Sequence, residues 1–182
     1  MSEPSEHLLK QAWQARREDR HVDAQRDLEQ AVDICRRADD KMALAKTLTA
    51  LGQVERDLQH NDVACGHYVE AAAIYRANGD ALRLAHAIRH IGDIHRHEQR
   101  RAPAERCYRE ALDIYRAHQP TSPLDLANAI RGLAILLDDS GEADEARALW
   151  QEARELYASV NVEAGVAESS RRLAKLAEKQ TH

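Results

Sequence analysis

One five-residue pattern returns through the chain in a fixed register. Ala31-Val32-Asp33-Ile34-Cys35 recurs as Ala71-Ala72-Ala73-Ile74-Tyr75, as Ala111-Leu112-Asp113-Ile114-Tyr115 and as Ala153-Arg154-Glu155-Leu156-Tyr157. The spacings are 40, 40 and 42 residues, and the two additional residues coincide with Pro120-Thr121-Ser122-Pro123. A second motif keeps the same register: Leu8-x-x-Gln11-Ala12, Leu48-x-x-Leu51-Gly52, Ile88-x-x-Ile91-Gly92 and Ile130-x-x-Leu133-Ala134. A third runs Ala24-x-x-x-Leu28, Ala64-x-x-x-Tyr68, Ala104-x-x-x-Tyr108 and Ala146-x-x-x-Trp150. A period of this length makes each copy one small unit that cannot bury its apolar face alone, so neighbours must stack.

Within each copy the apolar residues recur at intervals of three and four, which predicts two amphipathic helices per copy. Composition agrees, because Ala, Leu, Arg, Glu and Gln dominate, and seven Gly and four Pro are too few to turn a many-stranded β fold. Ala12, Gly52, Gly92 and Ala134, with Ala24, Ala64, Ala104 and Ala146, let paired helices approach closely. Asn78-Gly79 predicts a helix stop, with Asp80 capping the next helix. Ser122-Pro123-Leu124-Asp125 reads as a helix start, and Pro103 as the opening of another.

These motifs resemble the tetratricopeptide repeat family, in which a large apolar residue precedes a Leu-Gly pair and an Ala-x-x-x-aromatic follows. The long unit is similar to that of kinesin light chain, LGN-type adaptors and bacterial regulators. The expected fold is all-α, a right-handed superhelical solenoid of four helix pairs at about 5–39, 40–79, 80–121 and 122–162 in one domain, 1–182. Residues 163–179 align with the first helix of a pair and have no following partner, so they predict a solitary capping helix, the ninth. The resemblance implies a non-enzymatic adaptor whose first helices line a concave groove that holds a peptide or protein segment. A bacterial regulatory sensor for a small ligand or signalling peptide, acting on a separate output protein, is the competing expectation.

By that resemblance, the column three before each small residue is Leu9, Thr49, Arg89, Arg131 and Arg171. Six before it stand Glu6, Lys46, His86, Asn128 and Glu168, and one after it Trp13, Gln53, Asp93, Ile135 and Lys175. The candidate groove residues are therefore Lys46, Gln53, His86, Arg89, His90, Asp93, Asn128, Arg131 and Arg171. Arg89, Arg131 and Arg171 form a ladder suited to the carboxylates of an acidic segment. The chaperone-type dicarboxylate clamp is not reproduced, since Thr49, Gln53 and Gly132 occupy its positions. Six of the seven aromatic residues fall in recurring packing slots, leaving Trp13 as the candidate aromatic anchor.

No other chemistry is expected. The net charge of −5 has no nucleic-acid footprint. No apolar run is long enough for a membrane span, and the polar amino terminus lacks a signal-peptide core. The three cysteines, Cys35, Cys65 and Cys107, are far apart without a CxxC, which points to reduced thiols and a cytoplasmic setting. Nucleotide, nucleophile-elbow and metalloprotease motifs are absent, so no catalytic residue, cofactor or metal is assigned. His86, His90, Asp93 and His97 share one helical face, and the pairs His86/His90 or Asp93/His97 with Asp57 or Asp139 are the conceivable chelators. Clustered imidazoles beside Arg89 also predict tighter binding of an acidic ligand as pH falls. A monomer and a homodimer joined at the amino-terminal pair both remain open.

Overall fold

The computed structural model describes residues 3–180, with side chains for residues 4–178. Among these there are nine α-helices and no strand: α1 (Glu3–Arg17), α2 (His21–Arg37), α3 (Lys41–Asp57), α4 (Asn61–Ala77), α5 (Ala81–His97), α6 (Arg101–Ala117), α7 (Pro123–Asp139), α8 (Ala143–Ser159) and α9 (Glu163–Gln180). From α2 to α8 every helix is 17 residues long.

The joints repeat as regularly as the helices. Asp19, Asp39, Gln59, Gly79, Gln99, Gly141 and Asn161 all take positive φ, between 51° and 81°. At each, the following N–H reaches back five residues, as in Arg20 to Ala15 (2.9 Å), His60 to Glu55 (2.8 Å) and Val162 to Tyr157 (3.0 Å). This is the glycine-type helix stop, which satisfies carbonyls that a helix end leaves bare. The exception follows α6, where His118 is extended (φ −119°, ψ 106°). Side chains cap the next helix at some joints: Asp40 accepts from the Ala43 N–H (2.9 Å), Asp80 from Arg83 (3.2 Å) and Ser122 from Asp125 (3.3 Å). Pro103 lies at the third position of α6, still within the first turn, where its missing N–H costs nothing.

The chain divides within α5 into two compact units, Met1–Ile91 and Gly92–His182. In the first, α1 packs on α2, α2 on α3 and α3 on α4. Leu28, Leu48, Leu51, Val54, Tyr68 and Tyr75 are all buried there. Gly52 is needed because the Tyr68 ring lies against it; a Cβ there would sit 3.0 Å from ring carbons. In the second unit α6 packs on α7, α7 on α8 and α8 on α9, around Tyr108, Leu133, Leu137, Trp150 and Leu176. Tyr108 is clasped between Gly92, whose Cβ would be 3.1 Å away, and Gly132, where the clash would be closer still.

The two end helices differ from the inner ones. Leu51 and Val54 of α3 are buried, whereas their register equivalents in α1, Gln11 and Gln14, are exposed. That side of α1 is therefore polar where the same side of α3 is apolar. At the other end, Glu168 and Arg172 do not face outward, as a purely solubilising cap predicts. Glu168 accepts from Arg131, and Arg172 donates to buried Asp138 (3.1 Å) while its guanidinium lies 5.7 Å from the Trp150 ring centre. The cap helix's own sequence puts Glu168, Arg172 and Lys179 on a polar outer side; the third, Lys179, lies outside the described side chains.

Candidate functional site

In the first unit, polar side chains from α1, α3 and α5 meet on one face. Arg16 grips Asp57 through Nε (2.5 Å) and Nη2 (3.3 Å), and its Nη1 donates to Gln53 Oε1 (3.4 Å). Gln53 Nε2 approaches His86 Nε2 at 3.5 Å, and the His86 ring stands edge-on to His90, 4.7 Å between centres. His90 is 8% exposed and stacks on Tyr68 at 4.9 Å. Its Nδ1 lies 2.6 Å from Arg56 and its Nε2 2.7 Å from Arg89. Lys46, by contrast, is exposed, and Thr49 is tied to the Tyr75 hydroxyl (3.2 Å).

His90 stands at the centre of this cluster. An imidazole ring has at most one in-plane lone pair, so at most one of the two guanidinium contacts is a hydrogen bond. Both ring nitrogens of His90 thus lie against arginines, Arg56 and Arg89. No group of three or more His, Cys, Asp and Glu suited to a metal occurs among the described residues. Arg89 is 8% exposed and engaged with the same ring, so it is a packed cation inside the face.

The second unit uses tyrosine hydroxyls to set its first-helix residues. Tyr108 donates to Asp93 Oδ1 (2.9 Å) and accepts from Arg96 Nε (3.2 Å). Burial, with the Asp93 carboxylate beside it, pushes the Tyr108 hydroxyl well above the ordinary tyrosine range, so it is a fixed donor. Tyr157 donates to Asn128 Oδ1 (2.8 Å), which leaves the Asn128 amide N–H groups directed by that bond. Arg131 is bidentate to Glu168 through Nε (2.6 Å) and Nη2 (3.0 Å). That hydrogen-bonded pairing raises Arg131 and lowers Glu168 from their ordinary values. Arg171 is exposed on α9. Of the three arginines in the column, one is packed, one is paired and one is open to solvent.

Sequence columns missed a second arginine series, four residues after the small position: Arg16, Arg56 and Arg96. Arg16 and Arg96 each line an open hollow at the turn between the helices of a pair. The first, about 540 Å³, is bounded by Trp13, Arg16, Arg17, Asp19, His21 and Asp57. The second, about 320 Å³, has Arg96, Gln99, Arg101 and Asp139 at equivalent positions, with Leu136 and Ser140. Trp13 is 41% exposed, lies under the Arg16 guanidinium (5.7 Å) and backs onto Ala12, Leu28, Ala50 and Val54. The only signal for this series was its own forty-residue spacing.

No helix among the described residues is long and apolar enough to cross a membrane. The family model described as tetratricopeptide repeat matches residues 84–118 and 126–163. The crystal structure of BtubC (BKLC) from P. vanneervenii is similar in fold, with a TM-score of 0.77 at 20% identity over 86% of this chain and 64% of that one. The apo form of RapI is similar with a TM-score of 0.82 at 13% identity, over 93% of this chain and 62% of that one. The chain thus spans under two thirds of either structure. No curated protein matches by sequence. Repeat motifs in register, helix pairs closed by tyrosine on glycine, and these matches together identify the chain as a tetratricopeptide-repeat-like helical protein.

Proposed function

We propose that this chain is a non-catalytic protein-interaction module that holds an extended, acidic peptide segment against its first helices. The observation that carries this reading is the polar relay Asp57–Arg16–Gln53–His86, which links α1, α3 and α5 through side chains. Such a relay fixes amide and imidazole groups at half-buried positions before any ligand arrives, which lowers the entropy cost of binding. Gln53 and His86 offer groups for a peptide backbone, exposed Lys46 offers a cation for a carboxylate, and Trp13 offers an apolar wall. In the second unit Asp93, Asn128 and Arg171 have the corresponding roles, with Asp93 and Asn128 set by tyrosine hydroxyls. Arg89 and His90 in the first unit, and Arg131 in the second, serve by holding each unit's own face in shape.

Charge reversal at Arg89 or Arg131 would break packed contacts, so the informative changes are at exposed positions. Labelled acidic, neutral and basic peptide panels, titrated by fluorescence anisotropy, test the reading. Lys46→Glu and Arg171→Glu should each weaken acidic peptides by about three- to tenfold, the scale of one partly exposed ion pair. Glu29→Lys, on the exposed side of α2, should not. Equal affinities for the wild type, Lys46→Glu and Arg171→Glu, or a preference for basic peptides, would refute the assignment.

A further inference from the structure

The four second helices can be compared residue by residue along their exposed sides. On α4 the positions Asp62, Gly66, Val69, Ala73 and Arg76 recur at alternating intervals of four and three, and all five are exposed. The same register gives Val22, Arg26, Glu29, Asp33 and Arg36 on α2, and Ala102, Arg106, Arg109, Asp113 and Arg116 on α6. On α8 it gives Asp144, Ala148, Gln151, Glu155 and Ala158. Only on α4 are the three central positions uncharged and apolar. Val69 is 52% exposed, and Val63 on the same side is 50% exposed.

Gly66 adds a second observation. Glycine in mid-helix weakens the helix relative to alanine, so it usually marks a close approach. Gly52, Gly92 and Gly132 each have a tyrosine ring against them, but a Cβ at Gly66 would meet nothing within 4 Å. None of the described residues uses the space that Gly66 opens.

We propose that the α4 face is the contact between two copies of this chain, packed antiparallel across a two-fold axis at Val69. The alternating spacing of four and three is that of a helix seam that meets a second helix along its length. Its ends carry opposite charges, placed symmetrically seven residues either side of Val69: Asp62 before it and Arg76 after it. An antiparallel copy therefore sets each Asp62 opposite the partner's Arg76, and Gly66 lets the two backbones close up. A self-complementary patch of this kind is what a two-fold dimer requires.

Light scattering and sedimentation of the full chain, over a roughly hundredfold range of concentration, read this directly. The wild type should show a monomer–dimer equilibrium. Val69→Glu should weaken it by about tenfold or more, with an unchanged helical circular dichroism spectrum and melting profile. Asp62→Arg should weaken it, and Asp62→Arg combined with Arg76→Asp should restore it. A chain that stays monomeric throughout overturns the proposal, as does a Val69→Glu protein that dimerises as strongly as the wild type. Failure of the double swap to recover dimer, after Asp62→Arg has lost it, overturns the antiparallel register.

Discussion

One chemical change, glycine to alanine, should have different effects at three helical positions of this protein. At Gly66 the new methyl group meets nothing, so the change acts through helix propensity alone and should stabilise the chain by about 1 kcal/mol. At Gly52 the same gain is opposed by a Cβ placed 3.0 Å from Cε2 and Cζ of Tyr68, a side chain that is 0% exposed and has nowhere to retreat. Overpacking of this sort costs about 1–3 kcal/mol, so the net effect at Gly52 runs from about neutral to about 2 kcal/mol destabilising. At Gly132 the overlap with the Tyr108 ring is larger, and Gly92 holds the ring from the other side, so a net loss of about 2 kcal/mol or more is expected. For a chain of this length each kcal/mol moves the midpoint by about 2–4 °C. Thermal melts followed by circular dichroism, at a concentration where association is negligible, should rank Gly66→Ala above wild type and Gly132→Ala lowest. If Gly132→Ala melts at or above the wild type, the tyrosine-on-glycine contact does not organise the second unit.

Three further outcomes follow from the charges and aromatics. Glu168 is held below its ordinary 4.5 by the Arg131 hydrogen bond, so its contribution is complete above that value and is lost as pH falls through the lowered one. Glu168→Gln should therefore cost about 0.5–1 kcal/mol at neutral pH and converge on the wild type in acid, as read from urea melts. Burial lowers His67 below 6.5; from that value downward the unfolded chain takes a proton that the folded chain refuses, so stability declines with falling pH until the folded value is reached. His67→Gln should flatten that part of the stability profile, and an unchanged slope would show that His67 is not its source. Of the two tryptophans Trp150 is 0% and Trp13 41% exposed, so Trp13→Phe should abolish the acrylamide-quenchable emission and leave a blue-shifted, protected signal.

The repeat register was enough to place the helix pairs and to assign Tyr68, Tyr108, Trp150 and Tyr157 to packing, because both follow from which residues share a helical face. It did not show what each side chain meets. Arg131 and Glu168 are 37 residues apart and stood in two separate columns; only the structure shows that they satisfy one another. Arg89 stands in the groove column by position, but the column does not show that the residue is 8% exposed with Nη2 against the ring of His90. The joints were legible at Asn78-Gly79 but not at Gln59 or Gln99, since glutamine has no intrinsic liking for positive φ. Those residues are held there by the helices on either side, a constraint that local sequence does not display.

The evenly spaced joints set a rule for how such a chain can grow. A segment of forty residues added or removed between equivalent positive-φ joints, such as Asp19 and Gln59, would return every later side chain to its former face. A single residue inserted inside a helix would instead turn everything beyond it by about 100° and bury the wrong stripe. Length change is therefore quantised here, tolerated in whole periods or in the irregular stretch after α6, where the two extra residues already sit. That stretch is the place where a foreign loop or tag should be accepted with least disturbance.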